Sequence, residues 1–176
     1  MLNRKINNVK VLKYAQVDKL VFTVSLMFIM PLLLHMLPRT GYYPIGAIWL
    51  PIFYAPLFAA IFFKKHVSIA ACFVSPWINM YFTGMPRLEI ASKLTFELII
   101  FAIFAQIIFK SKSFYRFIGL ISFIFAKLFL YLTVFFMSGH FELKNMFSEI
   151  TLALPGIFVL LFIGIILIQI KESAAK

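Results

Sequence analysis

Six long apolar stretches, separated by short loops whose basic residues are alternately crowded and sparse, constrain this chain more than any other feature. They run from Leu20 to Leu37, Pro44 to Phe63, His66 to Phe82, Ala91 to Phe109, Phe117 to Met137 and Ile150 to Ile170. Each is close to the ~20 residues that a helix needs to cross about 30 Å of hydrocarbon. None shows the period-two alternation of a membrane barrel strand, so their backbone groups must be satisfied within helices. With 63% hydrophobic and 13% charged residues over 176 positions, too little polar surface exists to coat a water-soluble domain. The expected fold is an all-α membrane protein, a bundle of six transmembrane helices.

Lysine and arginine orient the bundle. Arg4, Lys5, Lys10, Lys13, Lys19, Lys64, Lys65, Lys110, Lys112, Arg116, Lys171 and Lys176 fall on one side; Arg39, Arg87, Lys93 and Lys144 fall on the other. Lys127 alone lies within a span. The positive-inside rule then places both termini in the cytoplasm, in agreement with an even number of spans. Residues 1–19 read as a basic cytoplasmic segment, 20–170 as a single six-helix transmembrane domain and 171–176 as a cytoplasmic tail.

The net charge of +11 calls for no nucleic acid, because the cations hug span ends where anionic lipid headgroups attract them. The basic-then-apolar start resembles a secretory signal, but Leu37 is followed by Pro38 and a loop rather than by small residues, so the first span is expected to be retained. A single cysteine, Cys72, offers no disulfide framework or paired-thiol metal site. The three histidines, His35, His66 and His140, divide between the two sides, which speaks against a metal centre. No G-x-x-x-x-G-K-[ST] loop is present, so any pumping must be driven by a partner or a gradient. No serine–histidine or paired-aspartate arrangement supports an intramembrane enzyme, and no cofactor is expected.

Polar chemistry gathers in the outer half. The segment from His35 to Gly46 is rich in Pro and Gly and leads into Trp49, Leu50, Pro51 and Pro56, which predicts a kinked second span beneath the first outer loop. Asn79 and Thr83, four residues apart, share one helical face before the break at Gly84, Met85 and Pro86. Glu97 in the fourth span and Lys127 in the fifth lie at depths that let their side chains approach each other. Charges at such depth are functional candidates by default, and two fates stay open: contact with a ligand, or a structural ion pair between helices.

Leu50-Pro51-Ile52 with Ala55-Pro56-Leu57, then Pro76, Thr83-Gly84-Met85-Pro86 and Glu97 in the following span, resemble the substrate-binding S components of energy-coupling-factor (ECF) vitamin transporters. The similarity covers roughly residues 30 to 110, and the six-span layout extends it to the whole chain. The resemblance implies a bacterial cell membrane protein that binds a vitamin or related micronutrient near the outer face. It also implies docking on a transmembrane T component driven by two ATPase subunits. Carried onto this sequence, the cavity draws on His35, Arg39, Tyr43, Asn79, Thr83, Arg87, Glu97 and Lys127, with Arg39, Arg87 and Lys127 placed to attract an anionic vitamin. The first span lacks the Ala-x-x-x-Ala face that many S components carry; Ala55 and Ala59 have that spacing, but on the second span.

Bacterial cell-shape scaffolds of the MreD type are also short, basic, six-span proteins. In that alternative Asn79, Glu97 and Lys127 hold helices together and no small molecule is bound.

Overall fold

Backbone hydrogen bonding without water favours helices, and every regular element among the described residues is helical. The computed structural model describes residues 2–36, 45–112, 114–140 and 143–174, with side chains from residue 15 onward, His35 excepted. In chain order the elements are α1 (Leu2–His35), α2 (Ile45–Trp49), a 3-10 turn (Pro51–Phe53), α3 (Tyr54–Phe62), α4 (Lys65–Thr83), α5 (Leu88–Ser111), a second 3-10 turn (Tyr115–Phe117), α6 (Ile118–Ser138), α7 (Leu143–Leu152) and α8 (Leu154–Ser173).

Four segments among the described residues are long and apolar enough to cross a membrane: Ala15–Leu34, Leu88–Ser111, Tyr115–Ser138 and Leu154–Ser173. They correspond to the first, fourth, fifth and sixth expected spans. The exterior of α8 shows what such a helix presents to lipid: Phe158, Phe162, Ile166 and Ile170, each four residues from the next, are all exposed. α1 has 34 residues, about 51 Å of helix, so it outruns the hydrocarbon and passes without a break through the boundary expected at residue 19.

The other two expected spans differ from simple apolar rods for identifiable reasons. The second is interrupted. Leu50 adopts a left-handed backbone (φ 53°) and Pro51 has no N–H to donate, so the chain passes from α2 through the 3-10 turn into α3. The Tyr54 hydroxyl donates to the Trp49 carbonyl across this break. The third, α4, has 19 residues, but its packed face carries buried Ser68, Ser75 and Asn79, which make it less apolar than the others. The sixth is preceded by a separate helix: Pro155 cannot donate to the Thr151 carbonyl, and the chain turns at Ala153 between α7 and α8.

α5 lies at the centre, packed against α3, α4 and α6, with Leu98, Phe101, Ala102 and Ala105 fully buried. Phe53 from the 3-10 turn meets Phe101 and Phe123 edge to face, with ring centroids 5.2 and 5.3 Å away. These contacts tie the broken second span to α5 and α6. On the opposite flank α1 meets α4. Pro31 of α1 leaves the Met27 carbonyl without its helical donor, and the Asn79 side-chain amide of α4 donates to that carbonyl at 3.2 Å.

Hydrocarbon supplies no hydrophobic drive for helices to associate, so close approach depends on small residues. A Cβ added at Gly156 of α8 would lie 2.6 Å from the Trp49 carbonyl carbon, and one at Gly119 of α6 would lie 2.5 Å from the Leu160 carbonyl oxygen. Both obstacles are backbone and cannot swing aside. At Gly164 the nearest atom is the Ile118 Cγ2 methyl at 3.1 Å, the end of a side chain. Gly156→Ala and Gly119→Ala should therefore each cost about 1–3 kcal/mol, read as a lower unfolding midpoint in detergent, with Gly164→Ala costing least of the three.

Candidate functional site

α5 and α6 pack side by side, and each carries one ionisable residue facing the other. Glu97 lies about 14 Å along α5 from its start at Leu88, and Lys127 about 17 Å back from the end of α6 at Ser138. At these matched depths the Lys127 Nζ stands 3.1 Å from Glu97 Oε1 and donates to Oε2 at 3.2 Å. The same ammonium donates to Glu149 Oε2 of α7 at 2.7 Å. Three helices thus meet at one cation.

Exposure rises along the cluster. The side chain of Glu97 is 6% exposed, that of Lys127 11% and that of Glu149 49%, so the path from the interior to the surface leads through Glu149. The inner limit is aromatic. Phe101 follows Glu97 by one turn of α5 and Phe123 precedes Lys127 by one turn of α6, which places the Phe53, Phe101 and Phe123 rings directly beneath the charges. The Lys127 Nζ is 5.7 Å from the Phe123 ring centroid, within cation–π range. Both Glu97 oxygens lie against the Lys127 ammonium, Oε2 as its hydrogen-bond acceptor and Oε1 as an ion-pair contact without a hydrogen bond. The cluster has a formal charge of −1, from two carboxylates and one ammonium.

The remaining expected residues are placed differently. Arg39 and Tyr43 lie outside the described residues, as does the side chain of His35. Asn79 is buried, and its amide donates to the Met27 carbonyl and, at 3.1 Å, to the Ser75 carbonyl. Thr83 is exposed and closes the turn after α4: its hydroxyl oxygen lies 2.7 Å from the Asn79 carbonyl and 2.9 Å from the Met85 carbonyl, and accepts from the Met85 N–H. Arg87 caps the start of α5 and is exposed. Among the described residues no hydrogen bond or ion pair joins Asn79, Thr83 or Arg87 to the Glu97–Lys127 cluster.

Glu149 was not among the residues that the sequence singled out, because it closes what reads as a polar connection. Its signal is its surroundings. Met146 and Ile150 face the bundle from either side of it on α7, which puts a lone carboxylate beside the apolar face of an amphipathic helix. An anion approaching Lys127 meets two carboxylates already in place, whereas a cationic group meets the excess negative charge of the cluster.

No family model, no curated protein and no solved structure matches this chain.

Removing one partner of a buried ion pair strands the other. Lys127→Met should cost about 3–5 kcal/mol. Adding Glu97→Gln to that variant should return most of the loss, as measured by a double-mutant cycle of unfolding midpoints in detergent.

Proposed function

We propose that this chain is the substrate-binding membrane subunit of an ECF-type transporter, crossing a bacterial cell membrane six times with both termini in the cytoplasm and taking up a vitamin or related micronutrient. A T component and two ATPase subunits supply the energy, since the sequence carries no phosphate-cradling loop of its own. The observation that carries this reading is the buried Lys127 ammonium between Glu97 and Glu149, above a phenylalanine floor and reached from the end where the second span is broken. Ionisable residues within a membrane helix are candidates for a substrate path by default.

The order of the helices supports the orientation. The α3–α4 and α5–α6 turns carry Lys64, Lys65, Lys112 and Arg116, whereas the α4–α5 turn carries Arg87 alone. A charge of −1 at the site favours a micronutrient that presents an amine, a protonated ring nitrogen or another donor, with Arg87 at the rim. Ala55 and Ala59 are buried inside the bundle, so the T component docks on another surface; the exposed face of α1 with Val21, Ser25 and Ile29 is the surface this reading assigns to it.

The scaffold alternative rests on a specific observation of its own: Glu97 and Lys127 pair with each other, and the Asn79 amide is taken up by the backbone of α1. The two readings separate in one preparation. A carrier extracted in mild detergent retains a small molecule identifiable by mass spectrometry, and Glu97→Gln lowers that retention about tenfold, the worth of one hydrogen bond to a charged group, at unchanged protein level. Recovery of wall-synthesis proteins with no small molecule would instead establish the scaffold.

Orientation has a separate test. The single cysteine, Cys72, is fully buried, so the labelling background is low. On intact cells a membrane-impermeant maleimide should label Gly139→Cys and leave Lys112→Cys unlabelled until the membrane is opened; the reverse pattern inverts the topology.

A further inference from the structure

The end of the bundle opposite the acidic cluster holds a second polar feature. Between the α3–α4 turn and the last turns of α5 lies a cavity of about 300 Å³ whose lining includes Lys64, Lys65, Lys110 and Gln106, with Phe63 and Phe109 as apolar walls. The three lysines are exposed, and none is in an ion pair among the described residues. No carboxylate lines the cavity.

Gln106 is the informative member. It is only 5% exposed, yet neither its amide nitrogen nor its amide oxygen has a hydrogen-bond partner among the described residues. A buried amide without partners is costly, and this one stands at the wall of a cavity edged by three cations, where a guest would supply the donor and acceptor it lacks. Lys64 is also the N-cap of α4, and no side chain caps that helix; the Val67 N–H turns back to the Lys64 carbonyl at 3.0 Å, which leaves the Lys65 and His66 N–H groups without a helical acceptor. Cations, free amide hydrogens and the absence of any competing carboxylate define a site for a phosphate group. The Gln106 carbonyl adds a place for a hydroxyl beside it.

A free phosphate ester and a lipid headgroup share that chemistry, and the neighbouring surface decides between them. Lys65 also lines a groove of about 640 Å³ that runs along α4 past His66, Ile69, Ala70, Phe73 and Val74. From Lys65 to Val74 the groove covers about 14 Å of helix. His66 is held at its mouth by a 3.0 Å hydrogen bond with Gln16 of α1. A basic cavity that shares Lys65 with a shallow, largely apolar face of α4 matches a headgroup whose acyl chain lies along that face.

We propose that this cavity binds the phosphate of an anionic phospholipid with a hydroxyl-bearing headgroup, Gln106 and the three lysines holding the headgroup while an acyl chain lies along α4. The site belongs to the basic end and is independent of the carrier reading. Its place at the ends of α3 and α5 puts it at headgroup depth, where snorkelling lysines reach anionic lipid.

The test uses the full chain in nanodiscs and in mild detergent, read by native mass spectrometry. With phosphatidylglycerol and phosphatidylcholine offered in equal amounts, one phosphatidylglycerol per chain should survive detergent exchange, preferred about tenfold. Gln106→Leu should lower its retention about tenfold without lowering the unfolding midpoint of the delipidated protein. Lys64→Gln with Lys110→Gln, both at exposed positions, should erase the preference for the anionic lipid while leaving the fold intact. Equal retention of phosphatidylcholine, or unaltered retention by both variants, would overturn the proposal. Displacement of the lipid by millimolar glycerol phosphate would overturn it in favour of a soluble phosphate ester.

Discussion

Two carboxylates can meet inside this bundle only because the Lys127 ammonium lies between them. Water is scarce around Glu97 and Lys127, so these two charges lose hydration and depend on their neighbours for compensation, whereas Glu149 stays half-exposed. Glu97 comes from α5, Lys127 from α6 and Glu149 from α7, and the cation therefore sets where the short α7 rests against the two long helices. The Phe53, Phe101 and Phe123 rings beneath the cluster keep the site dry from below and strengthen the same attraction. One side chain thus links helix packing, the position of the connection before α8 and the electrostatic character of the candidate site.

A second constraint shapes the flank formed by α1 and α4. Proline bends a helix by withholding a hydrogen, and the carbonyl it frees has no water to turn to. Pro31 frees Met27, and the Asn79 amide answers it from the neighbouring helix. Ser75 reinforces the same contact, its hydroxyl lying 3.1 Å from Met27 Sδ and 2.7 Å from the Ala71 carbonyl. The polar face that makes α4 less apolar than its neighbours is accordingly an adhesive surface. Asn79 and Thr83 share a helical face as their spacing dictates, but this face is turned to α1 and to the following turn, away from the Glu97–Lys127 pair.

Much of this could be read from residue order. Helix length and hydropathy located the long apolar helices, the helical rise of about 1.5 Å per residue placed Glu97 and Lys127 at matched depths, and Gly84, with φ 70° at the end of α4, marked the turn after Thr83. Pro51 and Pro56 announced a disturbed second span. The left-handed backbone at Leu50 did not show, because leucine carries no preference for it; Gly156 lets α8 lie against the Ile48 and Trp49 backbone just before the break, a contact distant in sequence. Glu149 was hidden for a related reason. A carboxylate in a polar connection looks solvated until the turn at Ala153 folds α7 against the bundle.

The unsatisfied polar groups divide the molecule into two ends of opposite character. Most buried hydroxyls find a carbonyl one turn back, as Thr95 does at Ala91 and Thr23 at Lys19, and so demand nothing from outside. The exceptions are Ser122 and the whole amide of Gln106, while Glu97 Oε1 has the Lys127 ammonium 3.1 Å away without a hydrogen bond. Ser122 is fully buried, with no cavity beside it described. The other two stand in fields of opposite sign: Glu97 in a cluster with an excess negative charge, Gln106 beside three unpaired lysines. Two amide atoms are few enough for the fold to carry unmatched, and they lie where positive charge gathers. The bundle therefore carries an excess of carboxylate at one end and of lysine at the other, with the rings of Phe53, Phe101 and Phe123 on the inner side of the acidic cluster, between it and the basic end.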